Sequence, residues 1–382
     1  MIIHLDMDYF YAQIEELRHP EHIGKILAVC IYSGKTPDSG VISSVNYAGR
    51  KVGIRAGMPI FLAKKKTTAM QTGVMPATAV FLAADMPYYQ AVSEEIDSFL
   101  HSTFRKIIQR SIDEWNIMED DILSKAMAKE VKQSIREKFG LKCSIGIAPS
   151  VIGAKIAASE GKPDGFVYWN AESEINKING MKVEDIPGIG PRMAEALHVL
   201  DVKMVIDIRK ISAITFVELF GRKTGAWLND LANHRYSSDI GSEKEVGEIS
   251  RIGTLKEETR DEATLLEKLA ELEGSALEHL REQNRRFKTL TVFFITSDLQ
   301  IHTKSKTFRN PKSWMEKTDT EKKELVSAFL DSNTDRSGTK MKDKKIKPSS
   351  KISSKIKTKI LIRRIGIKFG GLVDMSGQTT LF

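Results

Sequence analysis

Cysteine is nearly absent from this chain: Cys30 and Cys143 are the only two in 382 residues, each inside its own apolar run. That excludes a disulfide framework and any cysteine-based zinc module, and it fits a reducing cytoplasm. Long apolar runs are missing too, so no segment reads as a bilayer span. The start lacks the basic residues, long apolar stretch and small-residue cleavage site of a secretory leader, and no signal peptide is expected. Acidic residues are the minority charge, 50 Asp and Glu against 58 Lys and Arg, and the net charge of +8 favours a polyanionic partner. Aromatics are missing from residues 331–357, a Lys/Ser-rich stretch with too little apolar surface to repay its ordering. It reads as a disordered loop inside the last domain, the alternative being a basic arm on phosphates.

What is present is a globular composition, 41% hydrophobic, at a length that suggests two to four domains. The first 170 residues read as mixed α/β. Strand-like runs cover residues 2–5, 26–31, 41–45, 107–112 and 143–147. Helical patterns cover 9–17, 47–52, 59–65, 87–104 and 124–139, the last stopped by Gly140. Short helices with Gly punctuation follow from 172 to 236, then a polar linker at 239–248. A second α+β unit has strands at 250–255, 290–295 and 360–369 and helices at 262–285 and 318–330. Thr318 and Glu321 have capping-box spacing. A phase shift between Ile362 and Ile365 predicts a bulge at Arg363-Arg364.

Two acidic clusters lie far apart in the chain. Asp6-Met7-Asp8 ends the run Ile2-Ile3-His4-Leu5 and precedes Tyr9-Phe10-Tyr11-Ala12; Ser111-Ile112-Asp113-Glu114 follows Ile107 and Ile108. Strand residues alternate faces, so Asp6 and Asp8 point the same way if the strand continues through them. Carboxylates gathered at strand ends are costly unless a positive group lies between them. A hard cation such as Mg²⁺ suits them, and two such ions can clamp the oxygens of a phosphoryl transfer. The bland alternative is two solvated turns. Asp185-Ile186-Pro187-Gly188-Ile189-Gly190 leads into a helical run and is similar to the hairpin of a helix–hairpin–helix element. There Gly188 and Gly190 let backbone N–H groups approach a phosphate, unless this is an ordinary turn. Tyr47, Arg50 and Lys51 offer phosphate-type donors after the strand 41–45, but alone they read as a generic exposed helix start. Lys155 and Lys162 flank Ile156-Ala157-Ala158 and read, alone, as solvated lysines.

Together these segments resemble the Y-family DNA polymerases, in the DNA polymerase IV branch. The resemblance rests on Asp6-Met7-Asp8-Tyr9-Phe10-Tyr11-Ala12, Asp38-Ser39-Gly40, Asn46-Tyr47 with Arg50-Lys51, Gly57-Met58-Pro59, Asp85-Met86-Pro87-Tyr88-Tyr89, Ser111-Ile112-Asp113-Glu114, Ser144-Ile145-Gly146-Ile147-Ala148, Ala154-Lys155-Ile156-Ala157-Ala158, Lys162-Pro163-Asp164-Gly165 and Pro187-Gly188-Ile189-Gly190. It implies an α+β, multidomain right hand: palm at 1–10 and 79–169, fingers at 11–78, a helix–hairpin–helix thumb at 170–238, a linker at 239–248, and a little finger at 249–372 carrying the 331–357 insertion. It also implies error-prone, template-directed addition of dNTPs to a primer 3′-hydroxyl across damaged bases, with no segment left for a proofreading nuclease. Carried over, Asp6, Asp113 and Glu114 are the catalytic ligands of two Mg²⁺, joined by the Met7 carbonyl, with Asp8 in support. Tyr11 is the steric gate against a ribose 2′-hydroxyl. Tyr47, Arg50 and Lys162 hold the triphosphate with the backbone around Tyr9 and Phe10. Gly188 and Gly190 contact DNA.

Where the family usually has Ala-Tyr-Leu-Asp after its second acidic cluster, this chain has Trp115-Asn116-Ile117-Met118, and Trp115 is expected to crowd the strand presenting Asp113. The tail 373–382 looks like a short sliding-clamp motif anchored by Gln378, Leu381 and Phe382. The resemblance thus implies a cytoplasmic, monomeric enzyme with primer-template DNA, dNTP and a sliding clamp as partners. Two other readings are a DNA- and clamp-binding scaffold with a decayed site, supported only by Trp115, and a nucleotidyl cyclase, for which the hairpin and basic last domain have no use.

Overall fold

The computed structural model describes residues 1–71, 79–241, 247–332 and 360–375. The chain divides into two units, Met1–Tyr32 with Asp38–Glu243 and Ser33–Pro37 with Lys244–Phe382. The first opens with β1 (Ile2–Met7), which ends where Tyr9 takes a left-handed φ of 38° and turns the chain into α1 (Phe10–Arg18). β2 (Ile26–Tyr32) and β3 (Gly40–Val45) pair antiparallel. α2 (Tyr47–Lys51) starts at Asn46, whose side chain accepts from the Gly49 N–H at 3.1 Å. After α3 (Ile60–Gln71), β4 (Ala79–Ala83) runs parallel to β2 and completes a three-stranded sheet.

The site sits on a second sheet. It is built with α4 (Met86–Thr103), β5 (Ile107–Ser111), β6 (Glu114–Met118), α5 (Asp121–Phe139), β7 (Cys143–Ala148), α6 (Val151–Gly161) and β8 (Phe166–Tyr168). Its strand order is β5-β6-β1-β7-β8. Gly140 stops α5 at a left-handed φ of 68°, as its place in the sequence predicts. Alternation sorts β1: Ile3, Leu5 and Met7 enter the core shared with Ile96 and Leu100 of α4 and Val131 and Ile135 of α5. Ile2 enters a second core with Ala154 and Ala157 of α6. His4 and Asp6 share the face of Ile2. Gly146 of β7 pairs with His4, and a Cβ there would lie 2.1 Å from the Ala154 carbonyl oxygen and 2.2 Å from the Ala158 nitrogen. Only glycine lets α6 lie this close to the sheet.

Trp115 does not crowd the acidic strand. It is fully buried among Leu5, Ile96 and Ile145, and its indole N–H donates to Asp97 at 2.8 Å. Alternation puts it on the face opposite Glu114, so a large ring there fills the core. The expectation that Asp8 continues the strand is also corrected: β1 ends at Met7, and Asp8 lies beyond it.

The first unit closes with α7 (Ala171–Asn179), α8 (Pro191–Val199) and α9 (Ala213–Ala232). Gly188, at φ 102°, and Gly190, the residue before α8, make the turn between α7 and α8. In the second unit β9 (Glu248–Thr259), α10 (Glu262–Glu282), β10 (Arg285–Thr296), β11 (Ile301–Lys312), α11 (Asp319–Ser332) and β12 (Ile362–Gly370) form a sheet ordered β11-β10-β12-β9 under two helices. Leu265, Leu269, Leu325 and Phe329 of the helices pack on Leu290, Val292, Ile365 and Ile367. The bulge falls at Arg363-Arg364, where the register on both neighbours shifts. The capping box does not form: the Thr318 hydroxyl donates to the buried Glu273, and Glu321 accepts from Lys312 at 2.9 Å. The polar strand β11 escaped the sequence reading because it alternates exposed and half-buried residues with few apolar ones. Residues 333–357 of the insertion, 242–246 of the linker, and Gln378, Leu381 and Phe382 lie outside the described residues. Among the described residues no helix is long and apolar enough to cross a membrane.

Candidate active site

The carboxylates meet where β1 ends beside the β5–β6 hairpin. Asp6 pairs in register with Glu114, and the Met7 N–H donates to the Asp113 carbonyl at 2.9 Å, which fixes the hairpin turn against β1. The Ser111 hydroxyl donates to the Asp113 carboxylate at 2.8 Å. Asp6, Asp8 and Glu114 each have a positive or hydrogen-bonding neighbour on α6 or just beyond it. Lys162 Nζ lies 2.5 Å from Asp6, and Lys155 Nζ lies 2.5 and 2.7 Å from the two Glu114 oxygens. Asp8 is fully buried. It accepts from Ser144 at 2.9 Å, Tyr47 at 3.3 Å and the Asp164 N–H at 2.6 Å, and so ties the Lys162-Pro163-Asp164 turn to β1.

Asp6, Asp113 and Glu114 line a cavity of about 770 Å³ with Met7, Tyr9, Phe10, Tyr11, Arg50 and Lys162, while Asp8, Lys155 and Tyr47 lie outside its lining. That volume is within the range of about 300–1,000 Å³ common to small-molecule sites. Tyr11 stacks on the buried Tyr89 at 4.6 Å between centroids, and Tyr89 donates to Glu15 at 2.8 Å, so the Tyr11 ring has a rigid backing. Tyr9 meets Tyr47 edge-on at 5.1 Å, and the Arg50 guanidinium lies 5.0 Å over the Tyr47 ring. The Phe10 side chain is buried in the core.

Electrostatics follow from burial among like charges. Burial pushes the Asp6 carboxyl up to about 6, against the pull of Lys162 and with help from Glu114 and Asp113. Burial raises Asp113 too, with Glu114 adding to it. Burial works in the same direction on Glu114, but Lys155 and its other neighbours outweigh it and hold that carboxyl below the usual range. Burial raises both Tyr9 and Tyr47, so both phenols are neutral donors. The arrangement is a cluster of acids short of positive charge, facing a wall of basic and aromatic donors.

Several site residues were missed from sequence. Lys155 reads alone as solvated, yet it holds Glu114. Its signal was its spacing of two helical turns from Lys162. His4 Nδ1 lies 2.7 Å from the Asn116 side-chain oxygen, and one donor atom each from His4, Asp6 and Glu114 lie within 4.8 Å of one another. Strand alternation from Asp6 could have placed His4 on this face. Ser43, Ser44 and Arg55 also line the cavity.

Residues 5–159 match the impB/mucB/samB family, and residues 247–381 match the impB/mucB/samB family C-terminal domain. DNA polymerase IV of Methanosarcina acetivorans is 34% identical over 100% of this chain and 98% of its own length. DNA polymerase IV of Nitrosopumilus maritimus is 32% identical over 99% and 97%. Among solved structures, a chimera of the Y-family polymerases Dbh and Dpo4 superimposes with a TM-score of 0.80 at 28% identity, over 98% of this chain and 99% of that one. The insertion ternary complex of Dbh DNA polymerase gives 0.63 at 28% identity over the same shares. With relatives that match at this identity over nearly their full length, the chain belongs to the Y-family DNA polymerases, in the DNA polymerase IV branch of the impB/mucB/samB family, and is a DNA-directed DNA polymerase.

Proposed function

We propose that this polymerase extends a primer 3′-hydroxyl across damaged template bases by two-metal phosphoryl transfer and without proofreading. The observation that carries this is the convergence of Asp6, Asp113 and Glu114 on one cavity that Arg50, Lys162, Tyr9 and Tyr11 also line. The donor set fits divalent cations. It consists of three carboxylates with hard oxygen donors, two of those carboxylates already drawn to ammonium groups, and Asp6 is pushed up to about 6 by burial among its acidic neighbours. Asp6, Asp113 and Glu114, with the Met7 carbonyl, would hold two Mg²⁺, whose charge lowers the pKa of the primer hydroxyl and steadies the leaving pyrophosphate. The chain's own groups do the rest. Arg50, Lys162 and the Tyr47 hydroxyl take up charge on the triphosphate, and the backbone at Tyr9 and Phe10 aligns it. Tyr11, braced by Tyr89, closes the space a ribose 2′-hydroxyl would need.

The same reading divides the chain into palm, fingers, thumb and little finger at the boundaries expected from sequence. It gives Gly188 and Gly190 contacts to DNA phosphates, and it makes Gln378, Leu381 and Phe382 the anchors for a sliding clamp. The enzyme works as a monomer in the cytoplasm, where its two free, buried cysteines stay reduced. Primer extension with Mg²⁺ tests the proposal. Asp113→Ala and Glu114→Ala should each lower extension by a factor of a thousand or more while leaving DNA binding nearly intact. Extension by either variant at the wild-type rate would remove the assignment.

A further inference from the structure

A second group of metal-type donors stands at the far end of α1. The segment His19-Pro20-Glu21-His22 follows that helix, and Pro20–His22 form a single 3₁₀ turn. The backbone is held almost residue by residue. His19 N–H donates to Glu15 at 2.9 Å, His22 N–H to His19 at 2.9 Å, Ile23 N–H to Pro20 at 3.1 Å and Lys25 N–H to His22 at 3.1 Å. One donor atom each from His19, Glu21 and His22 lie within 4.8 Å of one another. His19 Nδ1 is 3.5 Å, and His22 Nε2 3.9 Å, from the same Glu21 oxygen. A tetrahedral ion with bonds of about 2.0–2.2 Å sets its ligand atoms roughly 3.3–3.5 Å apart, so small side-chain rotations would close this set.

Behind the cluster, His19 Nε2 lies 3.6 Å from the buried Glu15 carboxylate. The other Glu15 oxygen accepts from Tyr89 at 2.8 Å and Arg18 at 2.9 Å, so that carboxylate is fixed in place. One ring nitrogen toward a held carboxylate and the other toward the donor cluster is the carboxylate–histidine–metal order. His22 turns Nε2 toward the Glu21 oxygen, and its Nδ1 is buried with no hydrogen-bond partner, so Nε2 is the ring atom that can reach an ion at the cluster. The Glu21 carboxyl is held below its usual range by its own backbone N–H, with both imidazoles assisting.

We propose that His19, Glu21 and His22 bind one transition-metal ion of the Zn²⁺ class, with Glu15 steadying His19. Two imidazoles and one carboxylate suit Zn²⁺, Co²⁺ or Cu²⁺ and do not suit Mg²⁺, which prefers oxygen donors. The ion would clip the end of α1, whose first residues Phe10 and Tyr11 line the polymerase cavity, to the turn that follows it.

The test is Co²⁺ titration of the full chain in saturating Mg²⁺, followed by visible absorbance. One equivalent should produce a tetrahedral d–d band, and Zn²⁺ should displace it. His19→Ala and His22→Ala should each weaken binding at least tenfold, and Glu15→Gln about tenfold. Primer extension in Mg²⁺ should be unchanged in His19→Ala and His22→Ala, which shows that those variants are folded. If His22→Ala proves unstable, His22→Gln keeps the ring volume nearly filled and must show the same loss. Absence of the band in the wild-type chain would overturn the proposal. Unchanged affinity in the histidine variants would also overturn it, as would a band lost only in Asp6→Asn, which would place the ion at the polymerase carboxylates.

Discussion

Tyr11 is the residue whose role is most open to direct test. Its ring lies flat on Tyr89 and cannot retreat without disturbing a buried hydroxyl pair with Glu15. Tyr11→Ala should raise ribonucleotide insertion by roughly a hundredfold or more, because a rigid wall rejects an extra hydroxyl mainly by clash. Unchanged discrimination between dNTP and rNTP would remove the gate role. His4 is the second case. Burial lowers its imidazole to about 4 from 6.5, opposed by the Asn116 hydrogen bond. Because the unfolded chain takes up the proton first, this contribution to stability is complete above about pH 6.5 and is lost as pH falls toward 4. The linkage is worth up to about 3 kcal/mol. Asp6 acts in the opposite sense, since acidification through about 6 neutralises a buried charge. Comparison with His4→Gln cancels the Asp6 effect. Urea midpoints in chelator should therefore fall more steeply between pH 6.5 and 4.5 for the wild type than for His4→Gln. Parallel curves would mean that the His4 ring is not buried neutral.

At the scale of elements, the closeness of α6 to β7 decides where the two lysines stand. Gly146 permits that approach, and the three nearest neighbours of a Cβ placed there belong to the backbone of α6. Gly146→Ala should destabilise the protein by about 1–3 kcal/mol, at the upper end because backbone cannot rotate away as a side chain can. It should also lower extension, since displacing α6 moves Lys155 from Glu114 and Lys162 from Asp6. An unchanged urea midpoint would show that the sheet and helix have slack that the packing denies. The β5–β6 hairpin illustrates what a sequence reading can and cannot see. Its acidic turn was visible as a motif, but Trp115, standing where the family has a small residue, was expected to crowd the strand presenting Asp113. Burial of that ring opposite the acidic face turns the departure into core.

For the whole molecule, extension on bare primer-template and the proposed clamp binding should separate. Deleting residues 378–382 should leave extension on bare primer-template within about twofold and should remove most of the stimulation by a sliding clamp. A tether raises local concentration without adding contacts at the active site. Calorimetry showing equal clamp affinity for the full and truncated chains would overturn the clamp role. A loss of basal extension would mean that the tail is structural.

The sequence by itself determined the strands and helices whose apolar period was strong, and the order of short motifs from Asp6 to Gly190. It also determined the carboxylate set, because residue type and chain order are local properties. The Arg363-Arg364 bulge was legible for the same reason, as a break in period two. Only the tertiary structure decided that Lys155 belongs to Glu114, that Asp8 is a bracket for the Lys162 turn, and that Thr318 bonds Glu273 where a helix cap was expected. Each of these pairs joins residues distant in sequence, and a side chain's partner is set by which backbones pack within reach. A polar side chain has several equivalent partners along the chain, and burial selects one by making every unpaired alternative costly.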